Sequence, residues 1–251
     1  MKASTISGVI EQLDAIVIHS VATADRAGYF AALYKRVTIA VAHKINEGYF
    51  DDAVRMEKLD VIFANRYLDA YQNYKDGNPC SASWQLAFDT TKSWRPMVIH
   101  HLLAGMNAHI SLDLGIAAAT VSPDTMINDI QNDFNKINAI LIGLVNEVKA
   151  DLFAMWPLSK LIVKLNTNQL ENDIAGFSMH VARDAAWQEA IGYAPLTATT
   201  DRELFINERD KKVTAFGREF LYPTYWLRSL VAVLRIFEFG TVSSKINRLN
   251  R

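Results

Sequence analysis

Hydrophobic residues recur at spacings of three and four along almost the whole chain, and stretches of strict alternation are nearly absent, which predicts a helical protein with no sheet beyond an incidental hairpin. The apolar rhythm predicts a first helix over Ile6 to Ala22. A second begins near Asp25, carries Phe30, Leu33, Val37 and Val41, and ends around Gly48. Asp51 or Asp52 suits the N-cap of a third helix through Leu59, Phe63, Tyr67 and Tyr71, which the turn-forming run from Lys75 to Pro79 stops. Trp84 to Asp89 reads as a short helix, and Pro96 suits the first turn of another that runs to about Ala119. Ser122 and Pro123 form an N-cap and first-turn pair for a helix through Ile127, Phe134, Leu141 and Val148 that stops before Pro157. Further helices are expected from about Glu171 to Gly192, Arg202 to Phe220 and Thr224 to Phe239, the last two broken by Pro223. No repeat, low-complexity run or shift of composition marks a boundary, so residues 1–251 read as one helical domain, an all-α bundle.

The segment from Pro96 to Ala119 differs from the others because no arc of its helical wheel is a charged face. Ile99, Leu103, Ile110, Leu114 and Ala117 fill one arc, and Ala104, Ala108, Ser111, Gly115 and Ala118 form a stripe of small residues. A helix apolar on all sides belongs inside the fold, so this one is expected at the centre, enclosed by the others. Burial makes its polar residues informative: an unpartnered buried polar group costs about 1–3 kcal/mol, and an unpaired charge more. His100, His101, Asn107, His109 and Asp113 therefore need partners. His109 and Asp113, at i and i+4, project from adjacent turns, and Arg66 or Arg183 could supply the fork that a buried carboxylate accepts. Three readings are open: a closed hydrogen-bond network, a divalent metal site, and a small-molecule pocket. In the metal reading His101, His109 and Asp113 are the ligands of zinc, iron or manganese, and the two imidazoles converge on a cavity over Leu102 and Gly105. His43 with Glu47 and His180 with Asp184 repeat the spacing; the former reads as a solvated surface pair. Asp60 shares an arc with Ala64, Tyr67 and Tyr71, and Asn138 borders its helix's apolar stripe, so either could face the centre.

Composition narrows the function classes. Half of the 251 residues are hydrophobic, with 6 prolines, which excludes a disordered or linker-dominated chain. A balance of 26 basic against 27 acidic residues gives nothing to attract a polyanion, so no nucleic-acid partner is expected; the basic tail from Lys245 to Arg251 reads as a solvated terminus. A single cysteine, Cys80, fits a reducing compartment, and with no signal peptide and no uninterrupted apolar run near 18 residues, a cytoplasmic protein without a membrane partner is expected. The chain has no Glu-x-x-His of di-iron bundles, no zincin motif, no hydrolase elbow after a strand and no phosphate loop.

Three blocks carry a resemblance. They are Phe30 to Tyr34 with Arg36-Val37-Thr38; Met56 to Val61 with Phe63 to Leu68; and His100 to Gly115, whose polar residues interrupt an apolar helix. With weaker matches at Asp133-Phe134, Ile137-Asn138, Ala182-Arg183-Asp184 and Ala186-Trp187, the chain resembles the helical family catalogued as domain of unknown function 5995. The resemblance implies that Asp60, Asn65, Arg66, His101, Asn107, His109, Asp113, Arg183 and Asp184 form one constellation. It names no activity.

Two functions follow as expectations. In the first, a metal-dependent, hydrolase-like enzyme holds its ion with His101, His109 and Asp113, Asp60 or Asp184 adds an oxygen, Arg66 or Arg183 binds an anionic substrate group, and Asn107 joins them as a catalytic residue; the ion generates the nucleophile from water. In the second, a non-catalytic helical protein binds a small apolar or amphiphilic ligand or a partner subunit, and the His/Asn/Asp set is a satisfied buried network.

Overall fold

The computed structural model describes residues 2–156, 179–222 and 225–251, and every regular element among them is helical. In chain order these are α1 (Ile6–Thr23), α2 (Gly28–Asn46), α3 (Ala53–Lys75), α4 (Ala82–Thr91), α5 (Val98–Ala108), a π-helical turn (His109–Leu114), α6 (Gly115–Val121), a 3₁₀ stretch (Asp124–Ile130), α7 (Gln131–Met155), α8 (Met179–Tyr193), α9 (Thr199–Leu221), α10 (Tyr225–Ile236) and α11 (Val242–Leu249). The expected start of a helix at Glu171, and Pro223 with Thr224, lie outside the described residues.

Local caps set most boundaries. The side chains of Thr5, Asp52, Ser81 and Thr241 accept from the third backbone N–H onward and start α1, α3, α4 and α11. Asp25 accepts from the Ala27 N–H, so α2 starts three residues later than the pattern predicts. The expected helix start at Ser122-Pro123 is not formed. Ser122 ends α6, Pro123 is extended, Asp124 is left-handed at φ 56° with its N–H on the Ala194 carbonyl, and α7 starts only at Gln131.

The segment expected at the centre is there. α5 packs against α2, α4 and α9; the π-turn against α3, α8 and α9; and α6 against α3 and α8. Two glycines permit this closeness, since a Cβ at Gly105 would overlap the Phe30 ring and one at Gly115 would meet the Ala186 carbonyl at 2.7 Å. Arg36, buried, joins three elements by donating to Glu147 and Asp151 of α7 at 2.8 Å each and to the Leu249 carbonyl of α11 at 3.3 Å. The C-terminal segment is not a solvated tail: Ile246 and Leu249 are fully buried, and Lys245 makes a buried 2.8 Å ion pair with Glu238. Its signal was Val242, Ile246 and Leu249 at helical spacing behind the Thr241 cap.

Ile6–Thr23 and Val98–Val121 are each long and apolar enough, by length and composition alone, to cross a membrane. Isolated polar residues divide both runs, so neither is an uninterrupted apolar stretch, yet the mean hydropathy of each is high. The second is the enclosed central segment, 83% buried, and the first is buried on one face only.

Candidate functional site

The site grows from the π-turn. There the chain widens, and His109 and Asp113, four residues apart, both point into the interior with 3% and 1% exposure. Asp113 Oδ1 accepts from Arg66 Nε at 2.7 Å, Oδ2 accepts from Trp84 Nε1 at 2.8 Å, and His109 Nδ1 lies 3.4 Å from Oδ2. One carboxylate thereby gathers donors from α3, α4 and its own turn. Burial alone would raise the Asp113 carboxyl, but the Arg66 charge and the His109 and Trp84 hydrogen bonds outweigh it and hold it below the ordinary range. Arg66 reaches Asp113 from the rim, its side chain 30% exposed.

Burial lowers His109, and the Asp113 bond offsets this only in part, so the ring is neutral near pH 7. The Asp113 bond assigns the proton to Nδ1, which leaves the lone pair on Nε2. That nitrogen is buried without a hydrogen-bond partner among the described residues. The ring sits in an aromatic cage: Phe63 stacks on it at 3.5 Å between centroids, nearly parallel, Tyr34 meets it edge-on at 4.4 Å, and Phe30, Tyr67 and Trp84 close the sides. The sequence supplies these rings by helical spacing, Phe30 with Tyr34 on α2 and Phe63 with Tyr67 on α3.

Asp60, one turn before Phe63, faces the same interior. Its Oδ2 is buried without a partner among the described residues, and burial, helped by the Glu57 charge, pushes the carboxyl up to about 7. The Tyr67 hydroxyl is also buried and unpartnered, and burial raises it well above the ordinary phenol value. Tyr34 is raised by burial and by the Asp60 and Asp113 charges, which places it between the two carboxylates electrostatically.

The structure brings together Arg66, His109 and Asp113 of the expected constellation, leaves Asp60 linked to them only through Tyr34, and separates the rest. His101 lies two turns before His109, but the space over Gly105 is filled by the Phe30 ring, so the imidazoles do not converge. The His101 ring packs on Tyr29, and burial, with the His100, Arg26 and Arg235 charges, lowers it to about 3. Asn107 donates to the Val213 carbonyl of α9 at 2.9 Å. Arg183 serves α7 instead, donating to the Asn138 side chain at 2.6 Å and the Phe134 carbonyl, over the Phe134 ring; burial lowers it to about 10. Asp184 is exposed on α8, and Asn65 holds the N-terminal segment through both polar atoms of its amide and the Ala3 backbone. His43 and Glu47 form the expected exposed pair.

The donor set does not fit a metal ion. Among the described residues no three His, Cys, Asp or Glu side chains stand together as a ligand group, and both Asp113 oxygens already face N–H donors, one of them a guanidinium cation. Trp84 was absent from the expected site. Its signal was available, since a buried indole N–H needs an acceptor and a short apolar helix carried it.

A model of the family of unknown function DUF5995 matches residues 6–223. The chain belongs to this family. No curated protein and no solved structure matches it. The DUF5995 match spans every member of the Asp113 cluster, from Phe30 on α2 to Asp113 on the π-turn.

Proposed function

We propose that this DUF5995 protein is a metal-independent acid–base enzyme for a small, largely apolar molecule, with His109 Nε2 as the base. The observation that carries the reading is that Asp113 holds His109 by Nδ1 while its other ring nitrogen stays buried and unpartnered in an aromatic cage. A base acts best when a second group holds its orientation. Asp113 supplies the orientation and is itself fixed by Arg66 and Trp84. Asp60, with its carboxyl near 7, holds a proton that it could return to the product. Without a partner, Nε2 carries a desolvation cost that a bound donor group would relieve.

The test uses ethyl dichloroacetate, an apolar ester whose hydrolysis neutral imidazole assists by taking a proton from the attacking water, on protein dialysed against a chelator. Wild type should retain its rate after chelation, and His109→Gln should lower it by ~10²-fold or more, the scale of a positioned base. Equal rates in wild type and His109→Gln would remove the base assignment, and loss of rate on chelation would restore the metal reading.

A further inference from the structure

Two cavities lie on the α2 and α4 side of the buried His109 cage, and the inner one shares Phe30 and Trp84 with it. A surface cleft of about 470 Å³ is framed by the ends of α1, α3 and α4 and the approach to α2, and its lining includes Asp25, Arg26, Lys75, Thr91 and Lys92. Behind it lies a void of about 10 Å³ lined by Arg26, Phe30, Trp84, Thr91, His101 and Gly105, room for about one water. Arg26 and Thr91 border both spaces, so they form the neck between them. At the inner end, the Phe30 ring lies on Gly105 and packs edge-on to His109. Phe30, with Trp84 beside it, stands between the void and the base.

We propose that Phe30 is the gate of a route from this cleft to His109, and that the route admits a small carboxylic acid with an apolar body. The inference rests on the acid–base reading of His109 for its purpose, though not for its geometry. Gly105 is what lets the ring lie there, because a β-carbon at that position would overlap it. Moving the ring off joins the void to the aromatic cage. The neck supplies the selection. Lys75 pairs with Asp25 at 3.1 Å and Lys92 with Asp89 at 3.0 Å, so these charges compensate one another. Among the described residues Arg26 has no carboxylate partner: one of its terminal nitrogens donates to the Thr91 carbonyl at 3.2 Å, and its Nε is buried without an acceptor. An anionic group held there would direct its apolar body along Phe30, Trp84 and Phe88, toward His109.

Diethyl pyrocarbonate tests the route, because it acylates the lone-pair nitrogen of a neutral imidazole and peptide mapping reads each histidine separately. With exposed His43 as internal reference, Phe30→Ala should raise the His109 modification rate at least tenfold, and Thr91→Phe in that background should return it to the wild-type value. Benzoate should protect His109 in Phe30→Ala, benzyl alcohol should not, and Arg26→Gln should abolish the protection. Where Phe30→Ala does not fold, Phe30→Leu carries the same comparison. No rise in either Phe30 variant, or a rise that survives Thr91→Phe in folded protein, would overturn the route; equal protection by the alcohol would overturn the carboxylate. These outcomes are independent of ester turnover, so the gate can fail while the base stands, and the reverse.

Discussion

Replacing Asp113 tests the centre of the structure, and the cost can be worked from its three donors. In Asp113→Ala the Trp84 indole N–H and the His109 Nδ1–H remain buried with no acceptor in place, at about 1–3 kcal/mol each. Arg66 is part-exposed and can turn toward water, so its loss adds little. The sum is roughly 2–6 kcal/mol. For a chain of this length that lowers the melting temperature by on the order of 10 °C. Asp113→Asn separates hydrogen bonding from packing. It keeps the volume, but its amide NH₂ must face either the Arg66 or the Trp84 donor, so we expect more than half of the alanine effect. Urea unfolding with an unchanged slope is the assay. There is also a pH signature: because the folded Asp113 carboxyl is held below its unfolded value of about 3.9, its contribution is present above that value and lost as pH falls through the folded pKa. Asp113→Asn should lack that acid loss. An Asn variant within about 0.5 kcal/mol of wild type would refute the hub.

Asp60 and His101 should pull the pH dependence in opposite directions. With its folded carboxyl near 7 against about 3.9 unfolded, Asp60 keeps a proton that the unfolded chain has released, so stability falls with rising pH between these values by about 1.4 kcal/mol per unit; Asp60→Asn should remove that slope in urea midpoints from pH 4 to 8. His101, lowered to about 3 against about 6.5 unfolded, does the reverse: stability is lost as pH falls from 6.5 toward 3, and His101→Gln should flatten that limb. Between about pH 4 and 6.5 the two slopes oppose, so the single variants should diverge more from each other than either does from wild type. Tyr67→Phe removes a buried hydroxyl that has no partner and should raise stability by about 1 kcal/mol; a loss of that size in thermal unfolding would show that the hydroxyl is bonded.

What the sequence made legible was whatever depends on spacing along one helix. The all-round apolar wheel placed Pro96 to Ala119 at the centre, and the cost of burying a carboxylate predicted a cation at Asp113, found as Arg66. What it hid depends on where distant helices meet. Arg183 and Arg66 were equal partners for Asp113 on chemical grounds, and only the packing of α8 against α7 assigns Arg183 to Asn138 and Phe134. The same holds for three remote carboxylates that complete helix starts: Asp133 accepts from the Asp51 and Asp52 N–H groups before α3, Asp210 from Ala82 and Ser83 at α4, and Glu238 from Val98 at α5. The convergence expected over Gly105 failed for a related reason. A missing side chain leaves room, and spacing on one helix cannot say that a ring from α2 takes it.

The π-turn explains why the site stands where it does. In an ordinary helix His109 and Asp113 would project from successive turns with the offset of the wheel, and the backbone would not need support. Here the wide turn is gripped from both sides. On the outside, the Ser111 carbonyl accepts from Arg209 Nε at 2.8 Å, and the same guanidinium pairs with Glu189 of α8 at 2.9 Å, which ties α8 and α9 to the turn. On the inside, Arg66 and Trp84 pull Asp113 toward α3 and α4. The ladder on either side of the turn is regular α-helix, so the widening is local and positions the two side chains that carry the proposed chemistry. Relaxing the turn to α-geometry would rotate His109 out of its stack on Phe63 or Asp113 off its donors, and this opposing pair of clamps resists both.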